Sequence, residues 1–251
     1  MKTINKYRSS LLLIIFLLLF WELYVSVGNV NTRILPSPSL IFNALFSNWS
    51  NLLPHIFQTF LETIVGYLIA VILGFSLAIL LDISPKINKL IYPLLIISQT
   101  IPIIVLAPLL LLWFGFGILP KIIIVVLYCF FPIAIAGADG LSQTKKQYLK
   151  LLNSMSATYW QGLVLVRLPS SLPSFFSGLK IAATYSVAGA IVGEFVGAYQ
   201  GLGVYMQQAA NSYSIALVFA IIFVTIILSF LIIKIVTIFE SFINSEIKSE
   251  A

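Results

Sequence analysis

Apolar residues fill six long segments of this chain, and polar residues collect between them. A helix that crosses a bilayer needs about 20 mostly apolar residues, and each of the six segments comes close to that length. The pattern therefore predicts an all-α integral membrane protein with six transmembrane helices. The predicted spans cover residues 11–27, 56–81, 87–112, 121–138, 172–196 and 215–239.

The composition supports this fold class. The chain has 251 residues, of which 60% are hydrophobic and only 9% are charged, far from the composition of a soluble domain. No stretch has the composition of a soluble module, so we predict one polytopic domain over residues 1–251. The first span follows three basic residues, as a signal peptide would, but no small-residue cleavage site follows its apolar core. It is therefore predicted to be a retained helix.

Basic residues are distributed unevenly between the two sides of the predicted bundle. With six spans both termini face the same side, and only Arg33 and Lys121 among the 14 basic residues fall on the other side. Because cytoplasmic segments carry an excess of lysine and arginine, both termini are predicted to be cytoplasmic. The net charge of +6 then reflects topology and contact with anionic membrane lipid, and it does not indicate nucleic acid.

Two shorter segments are predicted on the opposite face. Pro36 and Pro38 favour an extended approach to a short amphipathic helix, for which Ser37 or Ser39 would be the cap. Residues 201–213 form the second short segment. The chain shows no internal repeat, which argues against a secondary transporter built from inverted repeats.

The longest polar interruption between spans, residues 139–171, keeps helical periodicity. Large apolar residues recur there at three- and four-residue spacing, which predicts an apolar stripe on one or two short helices. A bend is predicted at residues 156–158, and Pro169 and Pro173 are predicted to stop the loop helix. An interfacial helix on lipid headgroups is the alternative interpretation. The candidate binding residues of the loop are Tyr148, Leu152, Met155, Ser156, Ala157, Tyr159 and Trp160.

Polar residues inside the predicted spans are the candidates for a solute path. Glu194 is predicted to lie well inside the fifth span, where it either faces the path or hydrogen-bonds to a neighbouring helix. Pro102 and Pro108 predict a bend in the third span, whose freed carbonyl groups need a partner or a cavity. The candidate path residues are Gln99, Thr100, Tyr185, Ser186 and Glu194.

Other ionisable residues are assigned to the membrane interface. Glu22, Glu62 and Asp139 lie toward predicted span ends, where water or headgroups lower the cost of a charge, and His55 is assigned to the interface as well. Cys129 is the only cysteine, so no internal disulfide can form. A lone histidine cannot build a metal site, and none is predicted.

Three segments resemble the membrane-spanning permease subunits of ABC importers that are served by extracellular binding proteins. The cytoplasmic loop of these permeases carries E-A-A, three residues, G, nine residues and I-x-L-P. Alignment on residues 166–169 places Lys150, Leu151 and Leu152 at E-A-A and Ser156 at the glycine, so only the I-x-L-P end matches well. The segments QTIPIIVLAPLLLLWFGFG (99–117) and GEFVGAYQGLG (193–203) look like the nitrate, sulfonate and taurine type of permease. Within that type they are most similar to permeases for pyrimidine precursors of thiamine.

The resemblance covers about residues 56–239 and implies a transport subunit, not an enzyme. It implies a core permease domain at about 56–242 and a coupling loop at 139–171, with a cytoplasmic coupling helix between spans four and five that docks on an ABC ATPase. It also implies an extracellular binding protein, a second permease copy in a homodimer, and the bacterial cell membrane. ATP and magnesium would be used by the ATPase, since this sequence has no GxxxxGK[ST] loop and no cofactor is expected in this chain.

The implied solute is a pyrimidine precursor of thiamine, with riboflavin, an aliphatic sulfonate, taurine or nitrate as alternatives. From the residues alone, an ion-coupled secondary transporter is a second hypothesis, in which Glu194 would be the proton site. An intramembrane enzyme is a third, but no set of His, Asp and Ser residues converges inside the spans.

Overall fold

The computed structural model describes residues 2–144, 147, 148, 152 and 154–250, and every regular element within them is helical. The predicted all-α class is therefore confirmed. The elements are α1 (Lys2–Val27), α2 (Pro38–Ser47), α3 (Trp49–Ile83), α4 (Pro85–Ser98), α5 (Ile103–Phe114), α6 (Leu119–Ser142), α7 (Tyr159–Gly162), a π-turn (Leu163–Arg167), α8 (Leu168–Gly197), α9 (Leu202–Asn211) and α10 (Ile215–Glu250).

Five of the described helices are long and apolar enough to cross a membrane on their own. They are α1, α3, α6, the run from α7 through α8, and α10. Helices α4 and α5 meet the same criteria only as a pair, and their axes differ by 95°. The described chain thus has five candidate spans, or six if the bent pair counts as one. The bend predicted in the third span is confirmed, and it is a break between two helices.

The break at residues 99–102 follows from local chemistry. Pro102 has no N–H group, and its ring disfavours the helical conformation at the residue before it. Thr100 turns its hydroxyl back to the Ile97 carbonyl oxygen at 2.7 Å, which satisfies one of the orphan carbonyl groups at the end of α4. The chain then resumes as α5 in a new direction.

Helices α3, α6 and α8 pack closely at the centre of the molecule. Gly66 of α3 lies against Val125 of α6, and Gly178 of α8 lies against Ala136 of α6, with no room for a Cβ atom at either glycine. Such small residues let helix backbones approach each other, which is how helices associate in a membrane. These contacts make the three helices the packed centre of the bundle.

The bundle has two polar ends. Arg167 pairs with Asp82, which places the start of the α7–α8 run beside the end of α3; we call this the loop end. Lys121 pairs with Glu62 at 3.2 Å, which places the start of α6 beside the first half of α3; we call this the opposite end. Helix α9 lies at the opposite end, against α3 and α8.

The short α2 helix forms as predicted. Ser37 has an extended backbone and its hydroxyl accepts a hydrogen bond from the Leu40 N–H group, so Ser37 is the cap. Pro38 takes the first helical position, where its missing N–H costs nothing. The second short segment, predicted at 201–213, contains α9.

The predicted helix stop at Pro169 and Pro173 is wrong. The helix continues from Tyr159 through both prolines to Gly197. Directly before Pro169, the N–H group of Leu168 bonds to the carbonyl oxygen of Leu163, five residues back. This π-turn gives the helix one wider turn, so the local loss of a donor at Pro169 does not end it.

Candidate functional site

A cavity of about 350 Å³ opens beside the break between α4 and α5. Gln99, Thr100 and Tyr185, three of the predicted path residues, lie in its wall together with Tyr128 and Phe131 of α6. None of the lining residues is charged, and the lining residues not named above are apolar. The cavity therefore offers one amide, three hydroxyl groups and several aromatic rings, which suit a neutral solute better than an ion.

The other two predicted path residues lie elsewhere. Ser186 is fully buried, and its hydroxyl donates to the Ala183 carbonyl oxygen at 2.8 Å. Glu194 lies near the end of α8, at the opposite end of the bundle. The structure thus brings three of the five candidates to one cavity, and the role of all five in a solute path stays a prediction.

Glu194 belongs to a buried hydrogen-bond network. Its carboxylate accepts from the Thr59 hydroxyl at 2.6 Å and from the Gly203 N–H group. The Thr59 hydroxyl in turn accepts from the Leu202 N–H group at 2.8 Å. Thr59 lies on α3 and Gly203 on α9, so Glu194 joins three helices at this end.

The start of α9 is fixed by a second set of contacts. Gly201 has a φ of 137°, a conformation that side chains rarely adopt, and a Cβ atom there would overlap the Glu194 carboxylate. The His55 ring nitrogen Nδ1 lies 3.0 Å from both the N–H group and the carbonyl oxygen of Gly201. The same ring stacks on Tyr205, with 4.6 Å between centroids. His55 is therefore part of the packing between α3 and α9.

Glu62 and Lys121 form an ion pair whose side chains are 0% and 7% exposed. Gln58 donates to the same Glu62 oxygen, Oε1, at 2.7 Å, whereas Oε2 has no hydrogen-bond partner in the described part of the chain. The expectation that Glu62 lies near water is wrong, because the packing of α3 on α6 covers it. Glu194 is thus not the only carboxylate buried inside the spans. Among the described residues, no three His, Cys, Asp or Glu side chains gather closely enough to hold a metal ion.

At the loop end, three side chains meet in what we call the Asp82 cluster (Asp82, Tyr159 and Arg167). Asp82 Oδ2 contacts the Arg167 guanidinium and accepts a hydrogen bond from the Tyr159 hydroxyl at 2.8 Å. The guanidinium carbon lies 5.6 Å from the centre of the Tyr159 ring, within range of a cation–π contact. Each member therefore contacts the other two.

Helix α7 begins with a capping box. The Thr158 hydroxyl accepts from the Gln161 N–H group, and the Gln161 side chain accepts from the Thr158 N–H group at 2.8 Å. This reciprocal pair fixes the first helical residue at Tyr159. It also sets the orientation of its neighbours, so that Tyr159 faces Asp82 while Trp160 faces outward.

The predicted apolar stripe of the loop divides into two sets. Leu152 is half-buried beside Gly162, Ala157 is half-buried, and Tyr159 faces the bundle. Two other positions of the alignment, Lys150 and Leu151, lie outside the described residues. The remaining large side chains, Tyr148, Met155 and Trp160, are 45%, 70% and 59% exposed. We call these three residues the docking surface, after the role predicted for the loop, which stays a prediction.

Ser156 marks the bend of the loop. Its φ is 54°, in the left-handed region that favours glycine, and the Ala157 N–H group bonds to the Leu152 carbonyl oxygen at 3.0 Å across the turn. The bend predicted at 156–158 is confirmed. The residue aligned with the glycine of the resembling family thus takes a glycine conformation without being glycine.

Ser156→Gly is expected to stabilise the protein by about 0.5–1 kcal/mol, because glycine adopts the left-handed backbone conformation without the steric cost of a side chain. The measurement is the thermal unfolding midpoint of the detergent-solubilised protein. Ser170→Gly is the matched control, since Ser170 lies inside α8 and glycine there should lower stability by a similar amount. Equal losses in both variants would contradict the left-handed assignment.

Sequence reasoning missed several of these residues. The Thr158–Gln161 capping box could have been predicted from the sequence, since threonine followed three residues later by glutamine is a helix-start signal. Asp82 and Lys121 carried no comparable local signal, because their partners lie on other helices.

Comparison with known proteins shows similarity over most of the chain. Residues 66–245 match the family model described as binding-protein-dependent transport system inner membrane component. A probable ABC transporter permease protein of Haemophilus influenzae is 37% identical over 219 residues, covering 87% of this chain and 89% of that protein. The formylaminopyrimidine transport permease protein ThiX of Halalkalibacterium halodurans is 35% identical over 221 residues, covering 88% of both chains.

A solved structure is similar as well. The MetNI methionine ABC transporter, in an inward-facing conformation, aligns over 76% of this chain and 94% of that chain, with a TM-score of 0.67 and 20% sequence identity. At that identity the likeness concerns the fold, and the helical arrangement described above is shared.

Proposed function

This chain belongs to the family of binding-protein-dependent transport system inner membrane components, and we propose that it carries a pyrimidine precursor of thiamine across the membrane. It is the permease subunit of an ABC importer, a multi-pass protein of the inner membrane. The family implies two kinds of partner, an ATPase and a substrate-binding protein. The identity of the solute, the oligomeric state and the orientation of the chain in the membrane are parts of the proposal.

The choice of solute is based on the uncharged cavity at the α4–α5 break. Gln99 supplies a donor and an acceptor in one plane, and Tyr128, Phe131 and Tyr185 supply rings for stacking. Sulfonate, taurine and nitrate carry charge, and burying a charge without a partner is costly. A small neutral ring fits this chemistry, and the name of the ThiX relative describes transport of such a compound. Riboflavin is also neutral and is the second candidate.

We propose that the docking surface binds the ATPase. Exposed apolar side chains on a short helical loop suit a helix-in-groove contact, and ATP and magnesium would be bound by that partner. The excess of basic residues near the termini supports a cytoplasmic loop end. A second copy, related by a two-fold axis, would complete the path.

An ion-coupled secondary transporter has less support as a function. It would use Glu194 as a proton site, but both Glu194 oxygens accept hydrogen bonds that fix helices to each other. Those contacts support a role in packing.

The test of the solute is uptake into proteoliposomes that contain the permease, its ATPase and its binding protein. ATP-dependent uptake is expected for hydroxymethylpyrimidine or formylaminopyrimidine and not for taurine or nitrate. Uptake of taurine or nitrate without uptake of a pyrimidine would overturn the assignment, and uptake of riboflavin alone would favour the second candidate.

Gln99→Leu is expected to reduce pyrimidine uptake about tenfold, the value of one or two lost hydrogen bonds. Gln207→Leu is the matched control, since Gln207 is exposed on α9 and outside the cavity. Comparable losses from both substitutions would mean that the cavity does not hold the solute.

A further inference from the structure

The Asp82 cluster joins the end of α3 to the start of the α7–α8 run. Asp82 is the second-last residue of α3, and Tyr159 and Arg167 belong to the run that continues into α8. The Asp82 and Arg167 side chains are only 10% and 23% exposed. Beneath them, Leu163 is buried against Ala78 and Leu141, so the contact is a packed junction between helices.

The cluster also touches the docking surface directly. The Tyr159 and Trp160 rings meet edge to face, with 5.5 Å between centroids. Because the Thr158–Gln161 capping box fixes the start of the helix, a partner that moves Trp160 moves Tyr159 with it. The Tyr159 hydroxyl donates a hydrogen bond to Asp82, so Trp160 is linked through Tyr159 to the end of α3.

The π-turn at Leu163–Arg167 sets the third member. A π-turn contains one residue more than an α-helical turn, so it changes the direction in which the following side chains point. In this structure Arg167 is the last residue of that turn and reaches Asp82. Such single turns are often associated with function, and this one lies between the docking surface and the rest of α8.

We infer that Asp82, Tyr159 and Arg167 are positioning residues that transmit movement of the ATPase-docking loop to α3 and α8. The inference rests on the proposed function of the docking surface. Substitution of any of these three side chains should therefore reduce the effect of ATP on access to the cavity. None of the three lines the cavity or belongs to the docking surface. A cluster that only stabilised the bundle would leave that response unchanged.

The chain supplies a matched control. Lys180 and Glu240 form a second ion pair, between α8 and α10, with side chains 36% and 20% exposed. This pair also links two long helices, but it contacts neither the docking surface nor the end of α3. Loss of the Lys180–Glu240 pair should therefore leave the response to ATP intact.

The experiment follows access to the cavity in the complete complex of permease, ATPase and binding protein in liposomes. Thr100→Cys in a Cys129→Ala background places one thiol in the cavity wall, and a membrane-impermeant maleimide reports its labelling rate with and without ATP and vanadate. In the parent complex ATP should change the rate by about fivefold or more. Asp82→Asn should retain ATPase binding and hydrolysis but reduce the change to less than about twofold. Glu240→Gln should behave like the parent.

Charge reversal gives the second arm. Asp82→Arg combined with Arg167→Asp should restore the response that Asp82→Asn loses. An unchanged response in Asp82→Asn overturns the inference, and if that variant does not assemble, an unchanged response in Tyr159→Phe, which lacks only the hydroxyl, overturns it instead. A parent permease that fails to bind the ATPase overturns the proposed function together with this inference.

Discussion

Lys121→Met is expected to lower the free energy of unfolding by about 3–5 kcal/mol, because it leaves a carboxylate buried without its ion-pair partner. Glu62 is completely buried, and one of its oxygens already lacks a hydrogen-bond partner in the described part of the chain. With lysine removed, only Gln58 still donates to the other oxygen. The measurement is unfolding of the purified protein in mixed detergent micelles as the denaturing detergent is increased.

Two further variants test the physical reason. The double variant Glu62→Gln with Lys121→Met removes both charges of this pair and leaves neither one without its partner, so it should recover most of the lost stability, a coupling that a double-mutant cycle detects. Lys180→Met breaks a more exposed pair and should cost no more than about 1 kcal/mol. Equal losses for Lys121→Met and Lys180→Met would show that burial is not the source of the effect.

Met155→Asp is expected to weaken binding of the ATPase by about 100-fold, because a charge at the centre of an apolar contact must be buried without a partner. Met155 is the most exposed of the three docking-surface side chains. The variant should still insert and fold, since Met155 is largely free of contacts within the bundle. Copurification of the ATPase with the tagged permease, followed by ATP-dependent uptake, measures the effect.

The matched control adds the same charge elsewhere. Asn51 is exposed at the start of α3, at the opposite end of the bundle, so Asn51→Asp should not affect copurification. Survival of the complex in Met155→Asp would show that the ATPase binds another surface. Loss of the complex in both variants would indicate a general effect of charge.

Apolar length alone predicted the long helices, because a membrane requires each span to satisfy its own backbone hydrogen bonds. The cap at Ser37 and the bend at Ser156 were also predictable, since both depend on neighbours within a few residues. These features are local in sequence. They need no knowledge of which helices pack together.

The prediction at Pro169 failed for a different reason. A proline removes one donor, and the usual consequence is a stop, but a π-turn before it allows the helix to continue. The burial of Glu62 was missed because it depends on Lys121, 59 residues away in sequence on α6. The division of the loop stripe was missed because the turn at Ser156 changes the helical phase, which a periodicity count across the turn does not register.

Helix α3 has polar contacts at both of its ends. Thr59 takes part in the network that fixes α9, and Asp82 takes part in the cluster beside the docking surface. The two residues are separated by about 35 Å along the helix axis. If a rigid α3 links these sites, thermodynamic reciprocity applies: any factor by which the docked ATPase alters binding at the α9 end must equal the factor by which binding there alters ATPase affinity. A partner that binds at the α9 end would then be detectable as a change in the dissociation constant of the ATPase, even without nucleotide.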